Sequence, residues 1–194
     1  QCDIPAGLSN PRAIAAGHFH SLAVQESGTV VGWGKNADGQ AEVPSWITNA
    51  LAVAAGGDHS LALCTDGSVV AWWRNWDGQT NVPATATNVI EVAAGYAHSV
   101  ALRADGTVVA WGNNDYRQTT VPPTATNILR LAAGYYHTLA LRADRTVLGW
   151  GLPYVVPAAA TNVVALAAGW RHSLALRADG TVTAWGDNSY GQTD

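Results

Sequence analysis

The sequence predicts an all-β fold, a β-propeller or propeller segment of five three-stranded antiparallel blades of about 39 residues each. Two observations carry this prediction: a Gly-x-x-His step that recurs five times, and a Trp that follows each of these His residues at a fixed distance. Self-similarity at a period of about 20–50 residues is typical of propellers, solenoids and arrays. A straight solenoid is the alternative, but solenoid coils rarely contain hairpins with Asp-Gly turns.

The repeat is defined by its histidines and tryptophans. Successive histidines are 39, 39, 39 and 35 residues apart, and each Trp comes thirteen residues after its His. The histidines are His20, His59, His98, His137 and His172, and the tryptophans are Trp33, Trp72, Trp111, Trp150 and Trp185. One repeat domain, residues 1–194, therefore divides into units of about 1–39, 40–78, 79–117, 118–154 and 155–194.

The third unit shows why each unit is expected to be a small sheet. Apolar residues alternate along Val89–Ala94, His98–Arg103 and Thr107–Trp111, and a period of two is typical of strands. Asp105-Gly106 predicts a tight hairpin turn, because Gly accepts positive φ. Both faces of each strand are apolar, large on one side and small on the other, which sheets stacked face to face require.

Strand direction places the variable segments of every unit together. Three alternating strands bring the Gly-x-x-His turn and the loop after the repeated Trp to the same edge, which we call the upper rim. The Asp-Gly turns lie at the opposite edge, the lower rim. The upper rim varies from unit to unit, whereas the lower rim is nearly constant.

Composition excludes several classes of function. Apolar residues make up 48% of the chain, and the net charge of −4 argues against the basic patch that nucleic-acid binding requires. No run of about 18 apolar residues is present, so no membrane segment is expected. Nucleophile-elbow, Walker-type and Cys-His patterns are absent, so we expect neither an enzyme nor a cofactor. Because the chain starts at Gln1, either a leader has been removed or the chain is part of something longer.

The repeated histidines and tryptophans are interpreted as structural. Each His shares its strand face with apolar residues, so it is expected to pack between blades and to hydrogen-bond the next unit rather than to bind a metal. Each repeated Trp lies beside a Val on a buried strand, which favours the protein core over a sugar-binding site. The additional residues Trp46 and Trp73 are expected to be exposed.

The candidate binding residues are aromatic and lie at non-repeating positions of the upper rim. Aromatic residues and Arg are enriched at the energetic centres of protein interfaces. The candidates are Phe19, Trp76, Tyr96, Tyr116, Tyr135, Tyr136, Trp170, Arg171 and Tyr190. Their charged neighbours are Lys35, Asp38, Asp58, Arg74, Asp77, Asp115, Arg117 and Asp187.

Three phrases of the third and fourth units carry a family resemblance: HSVAL at 98–102, DGTVVAWG at 105–112 and QTTVP at 118–122. They resemble the bacterial branch of the regulator-of-chromosome-condensation repeats, which includes the propeller-type β-lactamase inhibitory proteins. The resemblance covers essentially the whole chain and implies a propeller whose upper loops contact a target protein. The chain departs from the pattern at Trp73 and Arg145, which replace glycines, and in the shortened loop 151–154.

These observations predict a protein-binding module, and an enzyme inhibitor is one form it could take. The rim chemistry differs in every unit, which fits one asymmetric protein partner better than five equal sugar sites. Carbohydrate binding by a lectin-like propeller and a structural, self-assembling repeat segment are the alternatives. We expect Trp76, Tyr135, Tyr136, Trp170 and Arg171 to be the anchors, in a bacterial protein that is secreted or at the cell surface.

Two further expectations concern closure and cysteines. Both ends of the sequence fall at the same point of the repeat, which favours a closed ring or one completed by self-association over an open arc. A segment cut from a longer array would fit equally well. Cys64 occupies a position held by Arg103 in the third unit and is expected to be exposed. A disulfide between Cys2 and Cys64 would suit an exported protein.

Overall fold

The computed structural model describes residues 2–37, 39–152 and 155–194. Within these residues, fifteen strands form five separate three-stranded antiparallel sheets, and each sheet is one blade. The strands are β1 (Pro11–Ala16), β2 (His20–Gln25), β3 (Val30–Gly34), β4 (Ala50–Ala55), β5 (His59–Cys64), β6 (Val69–Trp73), β7 (Val89–Ala94), β8 (His98–Arg103), β9 (Val108–Gly112), β10 (Ile128–Ala133), β11 (His137–Arg142), β12 (Val147–Gly151), β13 (Val163–Ala168), β14 (His172–Arg177) and β15 (Val182–Gly186).

The five-bladed, all-β prediction is confirmed, and the first two strands of the third unit have the predicted bounds. Its third strand is Val108–Gly112 rather than Thr107–Trp111, because Thr107 closes the hairpin turn by donating to the Asp105 carboxylate. Every blade repeats one register, with a bulge near the start of the pairing between its first and second strands. Bulges of this kind increase local twist.

The hydrophobic core lies between blades rather than inside any one of them. Leu22 and Val24 of β2 pack against Ile47 and Val53 of the second blade. Val100 and Leu102 of β8 pack against the fourth blade in the same way. A three-stranded sheet alone has no buried face, so each blade depends on its neighbours for stability.

A hydrogen-bond relay joins neighbouring blades at the residue that begins the second strand of a blade. His59 Nε2 lies 3.0 Å from Ser99 Oγ in the next blade, and Ser99 Oγ donates to the Gln79 carbonyl at 2.8 Å. Because the Ser99 hydroxyl donates its proton to the carbonyl, Ser99 Oγ accepts the proton of His59 Nε2. The neutral imidazole is thereby fixed as the tautomer with its proton on Nε2. The same pattern joins His20 to Ser60 and His98 to Thr138.

Burial keeps the relay histidines neutral. Removal from water, together with the charges of neighbouring histidines, lowers the pKa of His59 to about 4 and of His98 to about 3. Burial also lowers the pKa of His137 to about 4. His172, in the last blade, is only half-buried.

The five blades form an arc that does not close on itself. The first strands β1, β4, β7, β10 and β13 contact one another in sequence, but no strand of blade 5 packs in this way against blade 1 in the described residues. Ile14 of β1 is 74% exposed, whereas its counterpart Val53 of β4 is 8% exposed. A ring closed within the five blades is therefore not formed, and self-association stays a prediction.

The expectation for the cysteines was wrong. Cys64 is buried and Cys2 is exposed, and both are free thiols. The Arg103 side chain can extend from the equivalent strand end towards water, but the short Cys64 side chain stays against the sheet. Burial raises the pKa of the Cys64 thiol. Trp46 and Trp73 are exposed, as expected.

One lower-rim turn is strained because it lacks its glycine. Arg145 has φ 65°, and the equivalent Gly106 has φ 78°. The left-handed region costs a residue with a Cβ about 1–2 kcal/mol. The shortened loop that follows this blade includes Pro153 and Tyr154, which lie outside the described residues.

We expect Arg145→Gly to stabilise the fold by about 0.5–1 kcal/mol, since relief of strain exceeds the entropy that glycine adds to the unfolded chain. The reverse change Gly106→Ala is expected to destabilise by about 1 kcal/mol, because the new Cβ would lie 3.2 Å from the Asn127 Cα at positive φ. Urea unfolding of both variants measures the two effects. A destabilised Arg145→Gly variant would contradict this explanation.

Stability is expected to fall as the pH is lowered from about 6.5 towards about 4. In that interval the unfolded chain protonates His59, His98 and His137, whose pKa values are lower in the folded chain, at about 4, 3 and 4. Each histidine contributes a loss of about 1.4 kcal/mol per pH unit. Urea unfolding at pH 4.5, 5.5 and 6.5 measures the slope, and His98→Gln should reduce it by up to about 1.4 kcal/mol per pH unit. An unchanged slope in that variant would refute the assignment.

Candidate functional site

The upper rim is built by pairing the two variable loops of each blade. The backbone N–H of Asn113, just after β9, donates to the Ala97 carbonyl in the Gly-x-x-His turn at 2.8 Å. Equivalent bonds join Lys35 to Phe19 at 2.8 Å and Asp187 to Arg171 at 2.8 Å. The two loop sets therefore lie on one rim, as strand direction predicts.

A series of aromatic side chains in mutual contact, which we call the aromatic row, lies around the centre of this rim. Tyr96 and Tyr135 stack with ring centroids 3.9 Å apart, and Tyr135 contacts Trp170 at 5.5 Å. At the other end, His18 stacks on Phe19 at 4.1 Å and meets the edge of Tyr96 at 6.0 Å. These side chains border a central depression of about 290 Å³ to which all five blades contribute.

The aromatic row passes over the second blade because the residue at that position of the blade, Gly57, has no side chain. Gly57 occupies the position that Tyr96 and Tyr135 hold in the next two blades. A Cβ on Gly57 would lie 2.5 Å from the Tyr96 ring, so the ring lies directly on the Gly57 backbone. The aromatic side chains of blades 1 and 3 can therefore meet over blade 2.

A second group of aromatic residues lies farther from the centre. Tyr136 contacts Tyr135 at 4.3 Å and Tyr116 at 4.5 Å, so it links the central row to the outer loop. Trp76 is 82% exposed and lies under the Arg74 guanidinium, 3.7 Å from the ring centroid. Tyr190 is 93% exposed and makes no ring contact with the described residues.

The predicted rim residues thus differ in their environment. Phe19, Trp76, Tyr116, Trp170 and Tyr190 are exposed. Tyr96, Tyr135 and Tyr136 are half-buried by one another, and this burial, together with the Tyr96 hydroxyl, raises the pKa of Tyr135. Ring and cation–π contacts connect the candidates to one another, except Trp76, which pairs with Arg74, and Tyr190.

Asp58 is the electrostatic centre of the first two blades. It accepts from Lys35 at 3.3 Å, from Arg74 at 2.7 Å and from the Gln40 amide at 3.3 Å. Burial raises the pKa of Asp58, but the two cations outweigh burial and hold the pKa below its usual value. The sequence identifies these charges only as neighbours of the rim aromatics, because nothing in the repeat shows that two blades share one carboxylate. Asp38 lies outside the described residues.

The repeated tryptophans lie in the packing between blades. Trp72, Trp111 and Trp185 are buried, and Trp33 and Trp150 are half-buried. Trp111 Nε1 donates to the Gln79 carbonyl at 2.8 Å, which also accepts the relay bond. Across the described ranges, no group of three His, Cys, Asp or Glu side chains converges as metal ligands do. The same residues hold no helix that could cross a membrane.

Five consecutive segments match the model of the regulator of chromosome condensation (RCC1) repeat: 12–40, 51–79, 89–118, 128–154 and 163–192. The chain belongs to this repeat family. The five matches coincide with the five blades, from the first strand of each through its upper-rim loop. No curated protein matches the sequence.

Solved structures show the same fold at low sequence identity. Human WBSCR16 is 21% identical with a TM-score of 0.78, covering 91% of this chain and 61% of that one. Prp20p from Saccharomyces cerevisiae is 23% identical with a TM-score of 0.72, covering 91% and 57%. The ectodomain of the Physcomitrella patens receptor kinase CR4 is 24% identical with a TM-score of 0.73, covering 89% and 49%. The chain thus spans about half to three fifths of these relatives.

We expect Asp58→Asn to destabilise the protein by about 1–2 kcal/mol, because Lys35 and Arg74 would lose their shared charged acceptor in a largely buried position. Asp3→Asn, at an exposed site, is the matched control and should stay within about 0.5 kcal/mol of the parent. Urea unfolding at pH 7 compares the two variants. Equal stability of both would show that the Asp58 cluster contributes nothing to the fold.

Proposed function

We propose that this chain is a non-catalytic binding module that engages a protein partner through its upper rim. The observation that carries the proposal is the contiguous aromatic surface at positions that the repeat does not dictate. The repeat residues Gly, His and Trp make the interblade contacts, so they do not account for Tyr96, Tyr135, Tyr136 or Trp170. Large exposed aromatic patches with polar borders mark interaction sites.

The shape and order of the surface support a protein partner. The tyrosines are held by ring contacts of 3.9 to 4.5 Å, so they are ordered before any partner binds. Pre-ordered side chains lose little entropy on binding, which raises affinity. The five blades offer five different chemistries, from Gly57-Asp58 to Trp170-Arg171, and a single extended partner can contact all of them.

A relative with this fold also binds proteins. Prp20p, the yeast RCC1, has been characterised for its binding to Gsp1p and histones and solved bound to Kap60. These partners belong to that protein. For this chain the relative supports protein binding as a class, and an enzyme as the bound partner is the narrower form of the proposal.

Two exposed tryptophans provide a matched test. Trp170 is 61% exposed on the upper rim, and Trp46 is 66% exposed in the segment that precedes β4 at the lower rim. A partner captured from the native setting is identified, purified and titrated by surface plasmon resonance. We expect Trp170→Ala and Tyr135→Ala each to weaken binding by about 1–3 kcal/mol, and Trp46→Ala to leave it unchanged.

A glycan array run on the same three variants tests the carbohydrate alternative. Saturable binding of several identical sugars per chain, unaffected by Tyr135→Ala or Trp170→Ala, would overturn the proposal. Partner binding lost equally in Trp46→Ala would also overturn the choice of rim.

A further inference from the structure

A groove of about 240 Å³ lies on the upper rim where the second, third and fourth blades meet. Its walls are tyrosines from two blades, and its floor is polar. The lining residues are Asp77, Tyr96, Ala97, Asn113, Asp115, Tyr116, Gln118, Tyr135 and Tyr136. The groove lies beside the central depression and shares Tyr96 and Tyr135 with it.

Two carboxylates are held side by side in this groove. One amide nitrogen, Asn113 Nδ2, donates to Asp77 at 2.8 Å and to Asp115 at 2.9 Å. Asn113 is itself fixed, because its Oδ1 accepts from Gln118 Nε2 at 2.5 Å and from the Asp115 backbone at 3.2 Å. Both carboxylates can therefore be reached by one cationic group.

Neither carboxylate has a cation of its own among the described residues, since no Lys or Arg nitrogen there lies within 4.0 Å of Asp77 or Asp115. Asn113 occupies the position that Lys35 and Arg74 hold in the first two blades, where both cations contact Asp58. In blades 1 and 2, the buried Asp58 carboxylate is thus neutralised by cations of the same rim. In blades 2 and 3, the exposed Asp77 and Asp115 carboxylates lie together without such cations among the described residues.

The tyrosine walls suit a planar cation. Cations are attracted to aromatic faces within about 6 Å of the ring centroid. The rim already holds two guanidinium groups in this way, since Arg74 lies 3.7 Å from the Trp76 centroid and Arg171 lies 5.5 Å from that of Trp170. Tyr96, Tyr116 and Tyr136 present comparable ring surfaces around the paired carboxylates.

We infer that this groove is the subsite for an arginine side chain of the protein partner, with Asp77 and Asp115 binding the guanidinium and the tyrosines packing along it. The inference rests on the proposed function. Arginine fits better than lysine because its planar fork donates to two carboxylates at once and stacks on aromatic rings. A lysine ammonium is more strongly hydrated and has no planar face.

The test uses small probes on the whole chain, with no partner present. The ¹⁵N-labelled protein is titrated by NMR with N-acetyl-arginine-N-methylamide, its lysine equivalent and its uncharged citrulline equivalent. We expect the arginine probe to shift the Asn113 side-chain amide and the backbone amides of Tyr96, Tyr116 and Tyr136. The lysine probe should bind more weakly, and the citrulline probe should cause no saturable shift.

A double variant assigns the binding to the carboxylates. Asp77→Asn/Asp115→Asn should weaken arginine-probe binding about tenfold or more, because both charged acceptors are lost. The lower-rim variant Asp105→Asn/Asp144→Asn has the same change in net charge and should bind as the parent does. Equal binding of the citrulline probe would overturn the charge recognition, and equal binding of lysine would overturn the preference for arginine.

The two proposals fail in different ways. If the double variant binds the arginine probe unchanged, the subsite is wrong even where Trp170→Ala abolishes partner binding. If the probes behave as expected but no partner depends on the rim, the subsite stands as a guanidinium site and the protein-binding function is wrong. Comparison of the parent and the double variant by thermal melting excludes misfolding as the cause of lost binding.

Discussion

The contact between one blade's histidine and the next blade's hydroxyl is the constraint on which the rest of the structure depends. The imidazole of His98 lies against its own Gly95, where a Cβ would be 2.1 Å from the ring, and reaches Thr138 at 3.1 Å. A glycine and a histidine from one blade and a hydroxyl from the next blade are therefore required together. The relay satisfies the histidine Nε2 and the hydroxyl inside an apolar contact, and each of these groups would cost about 1–3 kcal/mol if buried without a partner.

This constraint leaves other positions free to vary. In each Gly-x-x-His turn, the two intervening residues face the upper rim and take no part in the relay. The loops after Trp33, Trp72 and Trp111 are each anchored by a buried Gln, whose carbonyl receives the relay in blades 2 to 4. Because the scaffold is held by so few side chains, the rim can carry Gly57-Asp58 in one blade and Tyr135-Tyr136 in another without loss of the fold.

Strand positions and rim membership could be predicted from sequence, because alternation and strand direction are local properties. The ion pairs of Asp58 and the groove at Asp77 and Asp115 could not, since their partners are 16 to 36 residues away along the chain. The burial of Cys64 was missed for a related reason: alignment of the repeats gives a position but not the reach of its side chain. The opening between the first and fifth blades depends on curvature, which no single repeat encodes.

The upper rim divides into two parts with different physical character. Over the first two blades, Lys35 and Arg74 are committed to Asp58, so little free charge is left there and Trp76 is the main exposed feature. The third to fifth blades carry the mutually packed tyrosines and Trp170, and these tyrosines border two carboxylates that no Lys or Arg of the described residues neutralises. A partner that matched only the aromatic rings would bury those carboxylates unpaired, and buried unpaired charge is strongly unfavourable. If the proposed binding function holds, ordered aromatic area in the third to fifth blades would set affinity, and the paired carboxylates would set specificity through a charge that the partner supplies.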